Sequence, residues 1–141
     1  MVIHPSTLAP RDTYFLMTSV IIPRPIALVT SLSSKGIVNA APFSFFNAVN
    51  ANPPMIMLAI ERRAGAQKDT TRNILSNRDF VVNVVTEDIA GGMNAASADF
   101  PPEVSEVERT GFTLLPSTVV GVPRLAESPV NLECRLTQWM E

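Results

Sequence analysis

The sequence predicts a mainly β protein, a barrel or sandwich carrying a few short helices. Two observations carry that reading. Proline is frequent and glycine sparse, 12 and 6 among 141 residues, and both fall mostly between apolar runs rather than inside them. Short strands joined by loops require that placement. In addition, Phe80-Val81-Val82-Asn83-Val84-Val85, flanked by Asp79 and Thr86, is a nearly unbroken β-forming segment. The length suits one domain, residues 1–141, with enough chain to bury a real core.

In chain order, residues 1–12 read as a polar, flexible, proline-containing lead. Tyr14 to Ile22 is apolar without alternation and ends at Pro23 and Pro25. Ile26 to Ser31 reads as a buried aliphatic strand. Ser33-Ser34-Lys35-Gly36 is a turn signal, and Ile37 to Ala41 returns as the second strand of a hairpin. Phe43 to Val49 and Met55 to Ile60 are further extended runs, joined through Pro53-Pro54, which excludes a helix there. Asp69 or Thr70 is placed to cap a short helix carrying Ile74 and Leu75 and ending near Asn77. Ile89 to Ala98 reads as helical despite Gly91-Gly92, until Pro101-Pro102. Ser105-Glu106-Val107-Glu108 has capping-box spacing before a single turn that stops at Gly111. Phe112–Leu115, Thr118–Val122 and Val130–Gln138 read as later strands.

Composition excludes several classes. The net charge is −2, and a basic stripe interleaved with aromatics is missing, which argues against nucleic acid as a partner. Gly36 to Ile60 is uncharged but repeatedly interrupted by Asn and Pro, too polar for a membrane helix. His4, Arg11 and Asp12 precede any apolar run, unlike a secretory signal. The single cysteine, Cys134, has no internal disulfide partner and sits in a strand-like pattern, so it reads as a small buried hydrophobe in a reducing, cytoplasmic protein. His4 is the only histidine, which leaves a His-based triad or zinc site without ligands. Glu103, Glu106 and Glu108 read as a solvated acidic face.

The polar groups that remain suit binding rather than acid–base chemistry. Lys68-Asp69-Thr70-Thr71 puts a cation and hydroxyls at a helix start, where free backbone N–H groups favour a phosphate monoester. Asp69 would repel phosphate and is read instead as a cap that positions backbone; an ordinary capped helix is the plainer alternative. Thr30 and Ser31 end a strand with adjacent hydroxyls. Ser44 and Asn47 lie inside the aromatic run Phe43-Ser44-Phe45-Phe46-Asn47, where a buried amide must find partners. A flavin's pyrimidine edge is one such partner, and loop backbone before Pro53 is the other.

The ordered set of motifs resembles the flavin reductase-like family of FMN-binding split-barrel proteins. It comprises Arg24-Pro25-Ile26-Ala27-Leu28-Val29-Thr30, Asn39-Ala40-Ala41-Pro42-Phe43-Ser44-Phe45-Phe46, Pro53-Pro54, Lys68-Asp69-Thr70 with Asn73-Ile74, and Phe80-Val81-Val82-Asn83. Met93-Asn94, Glu106 through Gly111-Phe112, and Glu127-Ser128-Pro129-Val130 with Leu132-Glu133-Cys134 follow. The likeness spans residues 13–138. It implies a six-stranded antiparallel split barrel of Greek-key type, forming a homodimer with FMN near the subunit interface.

Carried over to this chain, the resemblance implies that Thr30 and Ser31 lie by the phosphate or ribityl chain. Ser44, Phe45, Phe46 and Asn47, with the backbone of Ala48 and Val49, would face the isoalloxazine ring. Lys68, Asp69 and Thr70 would cradle the phosphate, with Asn94 and Ser97 contributing. The implied activity is hydride transfer from NADH or NADPH to flavin, sometimes serving a monooxygenase partner. The flavin carries the redox chemistry, so no protein nucleophile is needed. Similar proteins continue through further strands, so the chain ending at Glu141 reads as C-terminally truncated, with an unpaired final edge. That departure keeps two other readings open: a flavin-binding or flavin-delivering module without turnover, and a cofactor-free interaction domain.

Overall fold

The computed structural model describes residues 2–141. Its centre is a four-stranded antiparallel sheet in the order β2-β1-β5-β8, built from β1 (Ala27–Leu32), β2 (Val38–Phe43), β5 (Asp79–Val84) and β8 (Asn131–Arg135). Two smaller antiparallel pairs stand apart: β3 (Phe46–Ala51) with β4 (Pro54–Leu58), and β6 (Leu114–Leu115) with β7 (Arg124–Leu125). The helices are α1 (Pro10–Val20), α2 (Asp69–Asn77), α3 (Ala90–Ala95) and α4 (Glu106–Thr110).

Strand alternation explains why the central sheet is buried on both faces. Ala27 and Val29 of β1, with Phe80 and Val82 of β5, pack beside Phe43 and Ile74 on one face, where Phe46, Ile56 and Leu58 of the β3–β4 pair join them. Leu28 points the other way, into a cluster with Ala40, Ala96, Val107 and Leu125. The close packing on that side explains one of the two glycines in α3: a Cβ on Gly92 would stand 2.6 Å from the Phe112 ring. The expected hairpin forms, with Ala27 opposite Phe43 and Leu32 opposite Val38. Its turn carries Gly36 at φ +79, a left-handed conformation that glycine adopts without strain.

Several expectations are corrected. The fold is mainly β, as expected, but the described residues form eight strands in three open sheets where a six-stranded split barrel was expected. The continuous run expected over Phe43–Val49 breaks at Ser44-Phe45, which turns the chain out of the central sheet into β3. Within the lead, Pro5–Thr7 forms a 3-10 turn and Pro10 opens α1, taking the first helical position where its missing N–H is not needed.

The cap of α2 is Lys68 rather than Asp69 or Thr70. Ser105 does cap α4, with Gly111 ending it in the left-handed region, but no capping-box bond forms. The Ser105 hydroxyl instead donates to the Val38 carbonyl at 2.6 Å. Thr118–Val122 is a loop, not a strand. Its N–H groups at Thr118, Val119 and Val120 are taken by the Glu133 carboxylate instead of a neighbouring strand. The final strand, β8, pairs only with β5 and forms an outer edge of its sheet.

Candidate functional site

A groove of about 390 Å³ opens beside the start of α2. Its wall takes Pro42 and Phe43 from β2, Lys68, Asp69 and Thr70 from the start of α2, and the segment Ala96–Phe100 after α3. The apolar members come from the end of a buried strand, and the polar ones from the loop that enters α2. The first bond within α2 runs from the Arg72 N–H to the Lys68 carbonyl at 3.1 Å. The N–H groups of Asp69 to Thr71 therefore have no partner within the helix, and no side chain caps it.

The charges around the groove are mostly matched. Arg63 pairs with Asp99, and Arg72 with Asp69. Lys68 forms no ion pair among the described residues, and its Nζ lies 5.4 Å from the centroid of the Phe43 ring. The ring face attracts the ammonium and keeps it at the wall. An unneutralised lysine beside uncapped helix N–H groups is a setting for a dianionic phosphate. Asp69, turned to Arg72, has its charge offset rather than serving as a cap.

A chain of buried hydrogen bonds backs this wall. The Thr70 hydroxyl donates to Asn39 Oδ1 at 2.7 Å, and Ser31 Oγ lies 3.3 Å from the same oxygen. Asn73 Nδ2 donates to Ser31 Oγ at 3.1 Å. Asn39 Nδ2 donates to Glu106 Oε1 at 2.6 Å, and the Ala40 N–H to Glu106 Oε2 at 3.0 Å. Glu106 is thus buried and bonded, which corrects its reading as part of a solvated face; Glu103 and Glu108 are exposed.

The expected site residues fall in four places. Lys68, Asp69, Thr70 and Ser97 line the groove. Thr30 and Ser31 have no solvent exposure, and the Thr30 hydroxyl donates to the Pro123 carbonyl at 2.7 Å. Ser44, Phe45, Phe46, Asn47, Ala48 and Val49 lie at and beyond the β2–β3 bend, outside the groove wall. Ser44 accepts a 2.7 Å bond from Arg24, and Phe45 stands 6.1 Å from the Tyr14 ring. Asn47 is exposed rather than buried, its Oδ1 taking the Ala48 N–H. Asn94 is exposed, and its carbonyl accepts the Ser97 hydroxyl at 2.6 Å.

Asn39 and Glu106 were missed as site residues. Both stand inside the recognised motifs, but nothing in their local pattern marks the two as partners across 67 positions. Cys134 behaves as a packed hydrophobe: it joins the core beside Phe80 and Leu132, and burial pushes its thiol up to about 11. No cluster of metal-ligating side chains is present among the described residues, and no helix there is long and apolar enough to cross a membrane.

Comparison with known proteins identifies the family of the chain. The flavin reductase like domain matches residues 17–141. An uncharacterized protein of Halalkalibacterium halodurans is 47% identical over 137 residues, which is 96% of this chain and 66% of the relative. The crystal structure of nitrilotriacetate monooxygenase component B from Bacillus cereus superposes with a TM-score of 0.95 at 40% identity, covering 98% of this chain and 68% of that one. That of Pseudomonas fluorescens 2-nitrobenzoate 2-nitroreductase gives 0.88 at 43% identity, covering 98% and 66%. The chain spans about two thirds of the length of these proteins.

Proposed function

The chain belongs to the flavin reductase-like family, and from that membership we propose that it is an FMN-binding oxidoreductase that moves hydride from NADH or NADPH to flavin. The observation that carries this reading is the free Lys68 ammonium beside the uncapped start of α2, on the wall of a groove that also offers Phe43 and Phe100. Lys68 and the N–H groups of Asp69 to Thr71 would hold the phosphate, with Ser97 also on the groove wall. Thr70 contributes its backbone, since its hydroxyl already donates to Asn39.

Bound flavin would supply the redox chemistry, and the protein binding and orientation. Ser44 to Val49, beyond the bend, would meet the ring system where a second subunit completes the site. That second subunit is a copy of this chain. Helix α1 carries no buried residue, yet presents Phe15, Met17 and Val20, and Val49 and Met57 are exposed on the β3–β4 pair. These exposed apolar side chains are what a second copy would cover. A monooxygenase that consumes the reduced flavin fits the likeness to a monooxygenase component B, and a cytoplasmic setting supplies the nicotinamide nucleotide.

The test is a visible spectrum of the purified protein, then of the filtrate after heat denaturation, then anaerobic addition of NADH or NADPH. Flavin in the filtrate and bleaching by either nucleotide are the expected results. Bound flavin that neither nucleotide bleaches would leave a flavin-holding module, and a protein that takes up no FMN would overturn the reading. Lys68→Ala should weaken FMN about tenfold or more while sparing riboflavin, because only FMN carries the phosphate. Equal losses for the two would remove Lys68 from the phosphate site.

A further inference from the structure

Glu106 is a buried carboxylate on a five-residue helix, and no chemistry described so far uses it. Its surroundings give it two tasks. The first is at the edge of the central sheet. Strand β2 is an outer strand, and its Val38 carbonyl and Ala40 N–H bond not to another strand but to Ser105 Oγ and Glu106 Oε2. Two consecutive side chains thus satisfy the edge that a neighbouring strand would otherwise occupy.

The second task runs toward the groove. The Asn39 amide lies between Glu106 and the start of α2, and the carboxylate decides which way the amide faces. Because Glu106 accepts from Nδ2, Oδ1 is turned to the Thr70 hydroxyl and to Ser31, which in turn meets Asn73. Thr70 and Asn73 are one turn apart on α2, so both ends of its first turn are tied through Asn39 to a single charged acceptor. Only a carboxylate offers acceptors to the Asn39 and Ala40 donors together. A glutamine would set an NH₂ group against one of them.

We propose that Glu106 is the positioning residue for the phosphate end of the flavin site, acting through Asn39 and Thr70 to set where the first turn of α2 stands. This rests on reading the Lys68 groove as the place of the phosphate. Glu106 lines the same groove, but its two oxygens are engaged by Asn39 and Ala40; it fixes the backbone N–H groups and Lys68 that would hold the phosphate.

The experiment compares Glu106→Gln with Glu108→Gln, an exposed carboxylate on the same helix. Affinities for FMN and riboflavin are titrated, and amide hydrogen exchange is followed at Arg72 and Asn73 of α2 and at Val81 and Val82 of β5. Glu106→Gln should weaken FMN about tenfold, leave riboflavin within about twofold, and speed exchange in α2 but not in β5. Glu108→Gln should match the wild type throughout.

An unchanged Glu106→Gln overturns the inference. So does an equal loss of both flavins with faster exchange in β5, since that marks a carboxylate that only holds the fold. A wild type that binds no FMN overturns the flavin reading and with it the phosphate role, while exchange still shows separately whether Glu106 sets the first turn of α2. If Glu106→Gln does not fold, Thr70→Val and Thr70→Ser cut and restore the same chain from the other end. Valine should reproduce the FMN-selective loss and serine should rescue it; a serine no better than valine overturns the inference.

Discussion

Two of the three asparagines in the central sheet, Asn83 and Asn39, have surroundings that differ. Asn83 on β5 has no exposure and meets four partners. Nδ2 donates to the Leu28 carbonyl at 2.9 Å, with Thr30 Oγ1 at 3.3 Å, while Oδ1 takes the Leu125 N–H at 2.9 Å and Asn131 Nδ2 at 2.8 Å. It joins β1, β5, β7 and β8, and every bond ends on a neutral group. Asn39 on β2 also bonds on both sides, but one of its partners is the Glu106 carboxylate, and Asn39, Thr70 and Glu106 all line an open groove. An amide whose every direct partner is a neutral group of neighbouring strands fixes a fold. One that joins a charge to an open surface can also fix a site.

The sharpest way to break that contrast is to delete each amide. Asn83→Ala would orphan the Leu28 carbonyl and the Leu125 N–H where water does not reach, and should cost about 3 kcal/mol of stability in a denaturant titration. Asn39→Ala should cost less, because water in the groove can reach the groups it frees, and should weaken FMN binding instead. Equal stability losses with unchanged FMN affinity in both would erase the distinction.

The closed side has a weak point of its own in the loop before β7. Backbone N–H groups of Thr118, Val119 and Val120 hold the Glu133 carboxylate below its ordinary pKa. The Arg135 guanidinium, aided by the Gly121 N–H, lowers that of Asp79. Both folded values lie below the unfolded ones, so their contribution is present above the ordinary carboxylate range and lost as pH falls through it. The melting temperature should therefore fall as pH drops from about 5 to about 3, and Glu133→Gln should flatten that fall. An unchanged profile would detach the loop from Glu133.

The smallest expected effect is at Cys134. With its thiol raised to about 11 by burial, it should resist alkylation at mildly alkaline pH in the folded protein and react on unfolding. Rapid labelling of native protein would show that β8 opens.

The central sheet was legible in the sequence, because burial on both faces leaves β1 and β5 as aliphatic runs with few alternatives. Lys68 to Thr70 was legible too, as a cation and hydroxyls before a helix. Three features were not. Helix α1 was not, because its apolar run shows no alternation, ends at two prolines and buries no face that would mark a helical period. Thr118–Val122 has strand-like composition, but its N–H groups go to Glu133, a partner 13 to 15 positions away that local pattern does not disclose. Glu106 stands between two exposed acids, and only the fold distinguishes it from them. In the last two cases the deciding partner is distant in sequence.

Helix α1 has a thermodynamic consequence. Eleven residues without a buried face make a helix that is marginal in water by itself. If a second copy covers it, the free energy that folds α1 comes from association, and its helicity becomes a function of protein concentration. Serial dilution followed by far-ultraviolet circular dichroism should then show helical signal falling while the sheet persists. A spectrum unchanged by dilution below the dimer's dissociation range would mean that α1 holds itself.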